Sequence, residues 1–146
     1  MIPKILAISK SKFKHTKKSN VGCAYLEENF GLIGDAHSSI DTYRQISLLA
    51  IESINKMRYL GLNVHPGDFG ENLTTEGINL TTLPIGTKLD IGEEVILEIT
   101  QIGKKCHNHC AIYQQAGDCV MPKEGIFTRV IKGGNIKKGD KIKMIY

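Results

Sequence analysis

From Ile78 onward the chain is a series of short apolar runs cut by glycine turns, and this pattern limits the fold more than any other feature. Ile78-Asn79-Leu80, Lys88-Leu89-Asp90-Ile91 and Val95-Ile96-Leu97-Glu98-Ile99-Thr100 are separated by Gly86 and by Gly92-Glu93-Glu94. Phe127 to Lys132, a Gly133-Gly134 turn and Lys141 to Tyr146 after Gly139-Asp140 repeat the theme. Short strands at such spacing predict a sheet that curls into a barrel or a sandwich. Pro3 to Ser9 adds a strand near the start, so the fold class expected is mainly β.

One helix interrupts the sheet. Arg44-Gln45-Ile46 reads as the end of a strand, Ser47 as an N-cap, and Gly61 as the stop of a helix over about residues 47–60. Leu49, Ala50, Ile54, Met57 and Leu60 recur at helical spacing and form its core-facing stripe. With 146 residues and no linker or repeat, residues 1–146 are expected to form one domain with a core of its own. Nothing resembles a signal peptide or a run of about eighteen apolar residues, which predicts a cytoplasmic protein with no membrane partner. The net charge of +4 is mild and suits an anionic small ligand better than a nucleic acid.

The remaining signals are local. Lys10 to Lys18 holds six basic residues and reads either as a solvated surface loop or as a cationic arm over a phosphate-bearing ligand. Cys23 reads as a small buried hydrophobe. Gly31-Leu32-Ile33-Gly34-Asp35-Ala36-His37 marks a tight turn, with His37 either a ligand-facing donor or a structural histidine. His65 to Gly77 is dense in turn formers, and reads equally as a connection or as a ligand loop.

The reactive sulfur is concentrated in Gly103-Lys104-Lys105-Cys106-His107-Asn108-His109-Cys110-Ala111-Ile112, with Cys119 close behind. Three of the four cysteines lie here beside two lysines and two histidines. A thiol reacts and ligates as the thiolate, which neighbouring positive charge favours. Cys106 and Cys110 would lie about 13 Å apart on a straight strand. On a helical turn they would come within about 6 Å. A working thiolate, a structural zinc site and an inert buried pair are the three readings, and the lysines favour the first.

These segments together resemble the MOSC family, named for the C-terminal domain of molybdenum cofactor sulfurase. The resemblance runs through Gly34-Asp35-Ala36-His37, Arg44-Gln45-Ile46-Ser47-Leu48-Leu49 and Pro66 to Gly77. It continues through Leu83-Pro84-Ile85-Gly86-Thr87, the Gly103 to Ile112 stretch and Gly117-Asp118-Cys119-Val120-Met121-Pro122. It implies a β-barrel with a few helices, and a cysteine that carries sulfur as a persulfide or ligates molybdenum. That cysteine matches Cys110, with Cys106 as the second candidate. Arg44, Glu71, Asn72 and Thr74 match positions that line the family's cofactor cleft. Lys104, Lys105, Arg44, the lysine arm or glycine-turn amides are the candidates to hold the pterin phosphate, and His37 is a further cofactor-binding candidate. One departure is that Thr42-Tyr43 stands where the family often has an aromatic residue followed by histidine.

The function implied is binding of the molybdenum–pterin cofactor with sulfur transfer through a cysteine persulfide. Alternatives are a molybdenum-dependent reductase of N-hydroxylated compounds with a separate electron donor, and a non-catalytic cofactor carrier or zinc-stabilised module. The chain has no room for a pyridoxal phosphate domain. A cysteine desulfurase, a molybdoenzyme or a cofactor-biosynthesis protein is therefore the expected partner.

Overall fold

The computed structural model describes residues 2–13, 17–103 and 121–145. Among them the strands are β1 (Lys4–Lys10), β2 (Ser19–Val21), β3 (Cys23–Glu27), β4 (Gly31–Leu32), β5 (Ile46–Ala50), β6 (Leu73–Glu76), β7 (Lys88–Ile91), β8 (Val95–Ile102), β9 (Ile126–Lys132), β10 (Gly134–Lys137) and β11 (Ile142–Ile145). The helices are α1 (Ile51–Tyr59) and the single turn α2 (Met121–Glu124). The fold is mainly β. Eight strands form one sheet in the order β11-β7-β8-β9-β5-β6-β1-β2, and β10-β3-β4 form a second.

The β7–β8 hairpin shows how the sequence builds this sheet. Val95, Leu97 and Ile99 are buried on one face of β8 and alternate with half-buried neighbours, the two-residue period of a strand with one face on the core. Ile91 pairs with Val95 across the expected glycine turn. Ile5, Ile8, Ile46, Leu48, Leu73, Leu89, Leu97 and Ile126 are fully buried in the main core. Each such side chain contributes about 1.5–3 kcal/mol relative to exposure.

The sheet curls, but it does not close. Ile5 and Ile142 donate backbone N–H groups to Asp140 and Pro3 respectively, and one bridge joins Lys4 to Lys141. No continuous ladder among the described residues joins β11 to β1 or β2, so a hydrogen-bonded barrel is not formed by these strands.

The region 46–60 differs from its sequence reading. Ser47 is not a helix cap; it lies inside β5, a strand whose five residues are all buried. Leu48 faces the main core, while Leu49 joins Ile54, Met57, Phe69 and Phe127 in a second cluster under α1. A strand buried on both faces shows a continuous apolar run, which periodicity alone does not separate from a helix. The helix starts at Ile51 with no side-chain cap, and Leu60, assigned above to the core stripe, is 62% exposed. Gly61 ends the helix as expected, its N–H bonded to the carbonyl of Arg58.

Three further readings change. Ile78–Leu80 is not a strand; the strand lies earlier, at β6, within the segment read as a turn-rich connection. It runs parallel to β5, with α1 between them in the chain. Cys23 is exposed rather than buried, because Leu26 faces the core and alternation turns Cys23 and Tyr25 outward. Lys18, in the run read as solvated or as a mobile arm, is buried.

Candidate functional site

Glu71, Asn72 and Thr74 enter the interior where the chain passes from the 65–70 turn into β6. All three are at most 2% exposed. Glu71 Oε2 accepts the Gly67 N–H at 3.0 Å and the Thr74 hydroxyl at 2.8 Å. Its other oxygen, Oε1, has no hydrogen-bond partner among the described residues. Asn72 Oδ1 accepts the Ser47 N–H at 3.0 Å, and Nδ2 donates to the Ser9 carbonyl at 3.3 Å. Asn72 thereby ties β5, β6 and β1 together. These side chains hold the frame around the turn.

Gly67 joins this group to a second one. Its φ of +95° lies in the left-handed region that favours glycine, and a Cβ there would stand 2.6 Å from the Lys18 carbonyl and 2.9 Å from Ser9 Oγ. The Gly67 carbonyl accepts the Lys18 N–H at 3.3 Å. The Lys18 ammonium then reaches Asp35 Oδ1 at 2.6 Å, Ser11 Oγ at 3.4 Å and His37 Nδ1 at 3.2 Å. Ser11 donates its backbone N–H to the same Asp35 oxygen at 3.0 Å. His37, with a side chain 47% exposed, lies at the outer end of this network.

Burial acts on the two carboxylates with opposite outcomes. It would raise the pKa of Asp35, but the Lys18 hydrogen bond, the Ser11 N–H and the Lys18 charge outweigh it, and Asp35 is held below its ordinary value. Among the described residues Glu71 has no cation beside it. Burial there outweighs the Gly67 and Thr74 hydrogen bonds and pushes the carboxyl above its ordinary 4.5. A raised folded pKa means that the folded state binds the proton more tightly than the unfolded chain. The associated stability is present below pH 4.5 and is lost as pH rises through the folded value. Glu71→Gln, an uncharged isostere, is accordingly expected to gain on the native protein as pH rises from 4.5 toward neutral. Urea unfolding of both across that range checks it; a stability of Glu71→Gln relative to native that falls with rising pH contradicts the sign.

Arg44 belongs to a different corner. Gln45 is buried, and its side chain accepts the Val130 N–H while donating toward the carbonyls of Ser39 and Thr42. This fixes the loop before β5 and leaves Arg44 exposed. Arg44 Nε donates to Gln101 Oε1 at 3.0 Å, and Gln101 Nε2 donates to the Gly103 carbonyl at 2.7 Å. The guanidinium lies 5.3 Å from the centroid of the Phe127 ring.

Gly103 and Gly125 join the base of the intervening segment through one backbone hydrogen bond of 2.6 Å. On the far side, Glu124 accepts from Ser53 Oγ at 2.7 Å and from Lys56 Nζ at 2.9 Å. A cavity of about 380 Å³ adjoins them, with Glu52 and Asn79 on its wall. Lys104, Lys105, Cys106 and Cys110 lie outside the described residues. Among the described residues no group of three or more His, Cys, Asp or Glu side chains has a metal-holding arrangement.

This arrangement has clear relatives. The family model for the MOSC domain matches residues 34–143, three quarters of the chain. The chain belongs to the MOSC family. The matched span includes His37, Arg44, the 65–77 segment and the cysteine stretch. Solved structures share the fold along nearly the whole chain. The YuaD protein from Bacillus subtilis superposes with a TM-score of 0.81 at 19% identity, covering 99% of this chain and 96% of that one. YiiM from Geobacillus stearothermophilus gives 0.72 at 19% identity, covering 99% and 75%. YiiM from Escherichia coli gives 0.67 at 20%, covering 98% and 70%. Identities this low establish the fold alone. No curated protein matches the sequence.

The network of Lys18, Asp35 and Gly67 is what sequence reasoning missed in this MOSC chain. Gly34-Asp35-Ala36-His37 was visible as a turn, yet nothing in a lysine run distinguishes the member that pairs inside from those that stay in water.

Proposed function

We propose that this chain binds the molybdenum–pterin cofactor and carries sulfur for it as a persulfide on Cys110, with Cys106 as the partner thiol. Membership of the MOSC family supports a molybdenum-cofactor role. The observation that carries the reading is the Arg44–Gln101–Gly103 chain of hydrogen bonds, which fixes an exposed guanidinium at the foot of the segment bearing both cysteines. A guanidinium fork recognises a phosphate.

The donor set fits the group in part. Among the described candidates Arg44 and His37 have accessible polar side chains; Arg44, with Lys104 and Lys105, would hold the phosphate. Glu71, Asn72 and Thr74 are sealed and would act by fixing the turn and strand beneath it. Cys110 supplies the soft thiolate that molybdenum prefers. Bound, the cofactor would supply a redox-active metal with a site open to sulfur.

The sulfur step belongs to the chain and its partner. The Cys110 thiolate attacks the terminal sulfur of a cysteine desulfurase persulfide. The donor's S–S bond breaks, the donor leaves as a thiolate, and Cys110 holds the persulfide. Attack by the Cys106 thiolate on the Cys110 sulfur then forms a disulfide and expels hydrosulfide. An external dithiol reduces the disulfide for the next cycle.

Incubation of the anaerobically purified chain with a cysteine desulfurase and sulfur-labelled cysteine, followed by peptide mass spectrometry, is expected to place one labelled sulfur on Cys110. Cys110→Ser is expected to lose that label. Label on neither Cys110 nor Cys106 excludes the relay. Stoichiometric molybdenum and pterin with turnover of an N-hydroxylated substrate would instead indicate the reductase. Zinc in place of molybdenum would indicate a zinc-stabilised module.

A further inference from the structure

The two faces of the main sheet are covered unequally. Leu89, Leu97 and Val130 point into the main core, which they share with Leu26, Leu32 and Ile136 of the second sheet. On the other face α1 packs over β5 and β6, with Leu49, Ile54 and Phe127 in the cluster beneath it. The outer face of β11, β7, β8 and β9 lies beyond that cover.

Its composition follows from the register, because residues directly opposite on antiparallel strands share a face. Lys143, Asp90, Ile96 and Lys132 form one row across the four strands, and Ile145, Lys88, Glu98 and Arg129 form the next. Tyr43, 66% exposed, extends this surface from the loop before β5, its ring 5.6 Å from the Arg129 guanidinium. Arg129 is tied to Glu98 at 2.9 Å. Lys88, Lys132 and Lys143 are exposed, and among the described residues no ion pair engages them. The surplus charge of the face is positive.

This charge selects a partner. Positive potential steers an acidic surface into contact. A nucleic acid calls for an unbroken basic stripe, whereas Asp90, Glu98 and the apolar Ile96 and Ile145 interrupt this one. Apolar and aromatic area among charges suits a protein. The face also runs into the candidate site, since Gln101 on β8 joins Arg44 to the Gly103 carbonyl.

We propose that the outer face of β11, β7, β8 and β9 is the docking surface for an acidic protein that supplies sulfur to this chain. The choice of a sulfur donor as occupant rests on the function proposed above; the cationic face does not. A donor docked there lies beside the end of β8, where the cysteine-bearing segment begins.

The probe is a cysteine desulfurase immobilised for biolayer interferometry, with the full chain in solution. Native protein is expected to bind, and to bind more weakly as ionic strength rises. Lys88→Glu with Lys132→Glu is expected to weaken binding by about tenfold or more at low salt. Lys137→Glu with Lys138→Glu, the same change of charge at exposed positions by the second sheet, should leave it nearly unaltered. If reversal unsettles the sheet, glutamine at the same two pairs gives the same comparison. Absence of binding, or equal loss in the two pairs, overturns the proposal. So does preference for a DNA duplex or a phosphatidylglycerol vesicle over the desulfurase. Labelled inorganic polysulfide, which loads a thiolate without docking, tests the thiol separately. Label on Cys110 from polysulfide, without face-dependent binding, sinks the docking surface and spares the relay. Face-dependent binding without label from either source does the reverse.

Discussion

Lys18→Met is expected to lower folding stability by about 3–5 kcal/mol, the cost of leaving one member of a buried ion pair without its partner. The carboxylate of Asp35 would keep the Ser11 N–H and lose the ammonium, while staying fully buried. The deficit should depend on pH in a definite direction. Asp35 has a folded pKa below its ordinary 3.8, so its contribution is present above that value and disappears as pH falls through the folded one. The gap between native and variant is therefore expected to be full at neutral pH and to shrink in acid. Urea unfolding at several pH values measures it. Adding Asp35→Asn should restore much of the loss, because the orphaned charge is then gone. A Lys18→Met variant within about 1 kcal/mol of native, the size of a surface ion pair, would place Lys18 in water and dissolve the network that leads to His37.

The difference between Lys18 and its neighbours explains what was legible in the sequence. The β7–β8 hairpin was readable because Leu97 and Ile99 alternate with Glu98 and Thr100 and a glycine turn precedes the run. One buried face and one wet face leave a two-residue period in the residue types. β5 was not readable, since Leu48 and Leu49 are buried on opposite faces; the same apolar letters then suit a strand or a helix. β6 was hidden for the reverse reason. Thr74 and Thr75 look like loop residues, yet both are fully buried, Thr74 by donating to Glu71. Lys18 joins a carboxylate seventeen residues away, and local composition contains no trace of such a pairing. Of the candidate site, Arg44 entered only by family resemblance, while His37 and the 65–77 segment stood open between a structural and a ligand-facing role. Arg44 and His37 are accessible and Glu71, Asn72 and Thr74 are sealed, a division that depends on how β1, β5 and β6 pack.

Asn72→Ala is expected to be the other costly change, at about 2–6 kcal/mol, because it strands two buried backbone groups at about 1–3 kcal/mol each. The Ser47 N–H would lose Oδ1, its acceptor at 3.0 Å, and the Ser9 carbonyl would lose the Nδ2 donor at 3.3 Å. The backbone bonds of residue 72, from its N–H to the Ser47 carbonyl and from Ser9 N–H to its carbonyl, survive the substitution. The loss therefore isolates the side chain. Asn63, exposed on the loop after α1, supplies the control, and Asn63→Ala should change little. Hydrogen exchange gives the local readout: protection of the Ser47 amide should fall in Asn72→Ala more than the global loss accounts for. Asn72→Asp separates shape from hydrogen bonding. It keeps an acceptor toward Ser47 but turns an oxygen toward the Ser9 carbonyl, so it should be at least as destabilising as alanine. An aspartate variant close to native would mean that the Ser9 contact contributes nothing, and β1 would then be held to the 65–77 segment without help from the Asn72 side chain.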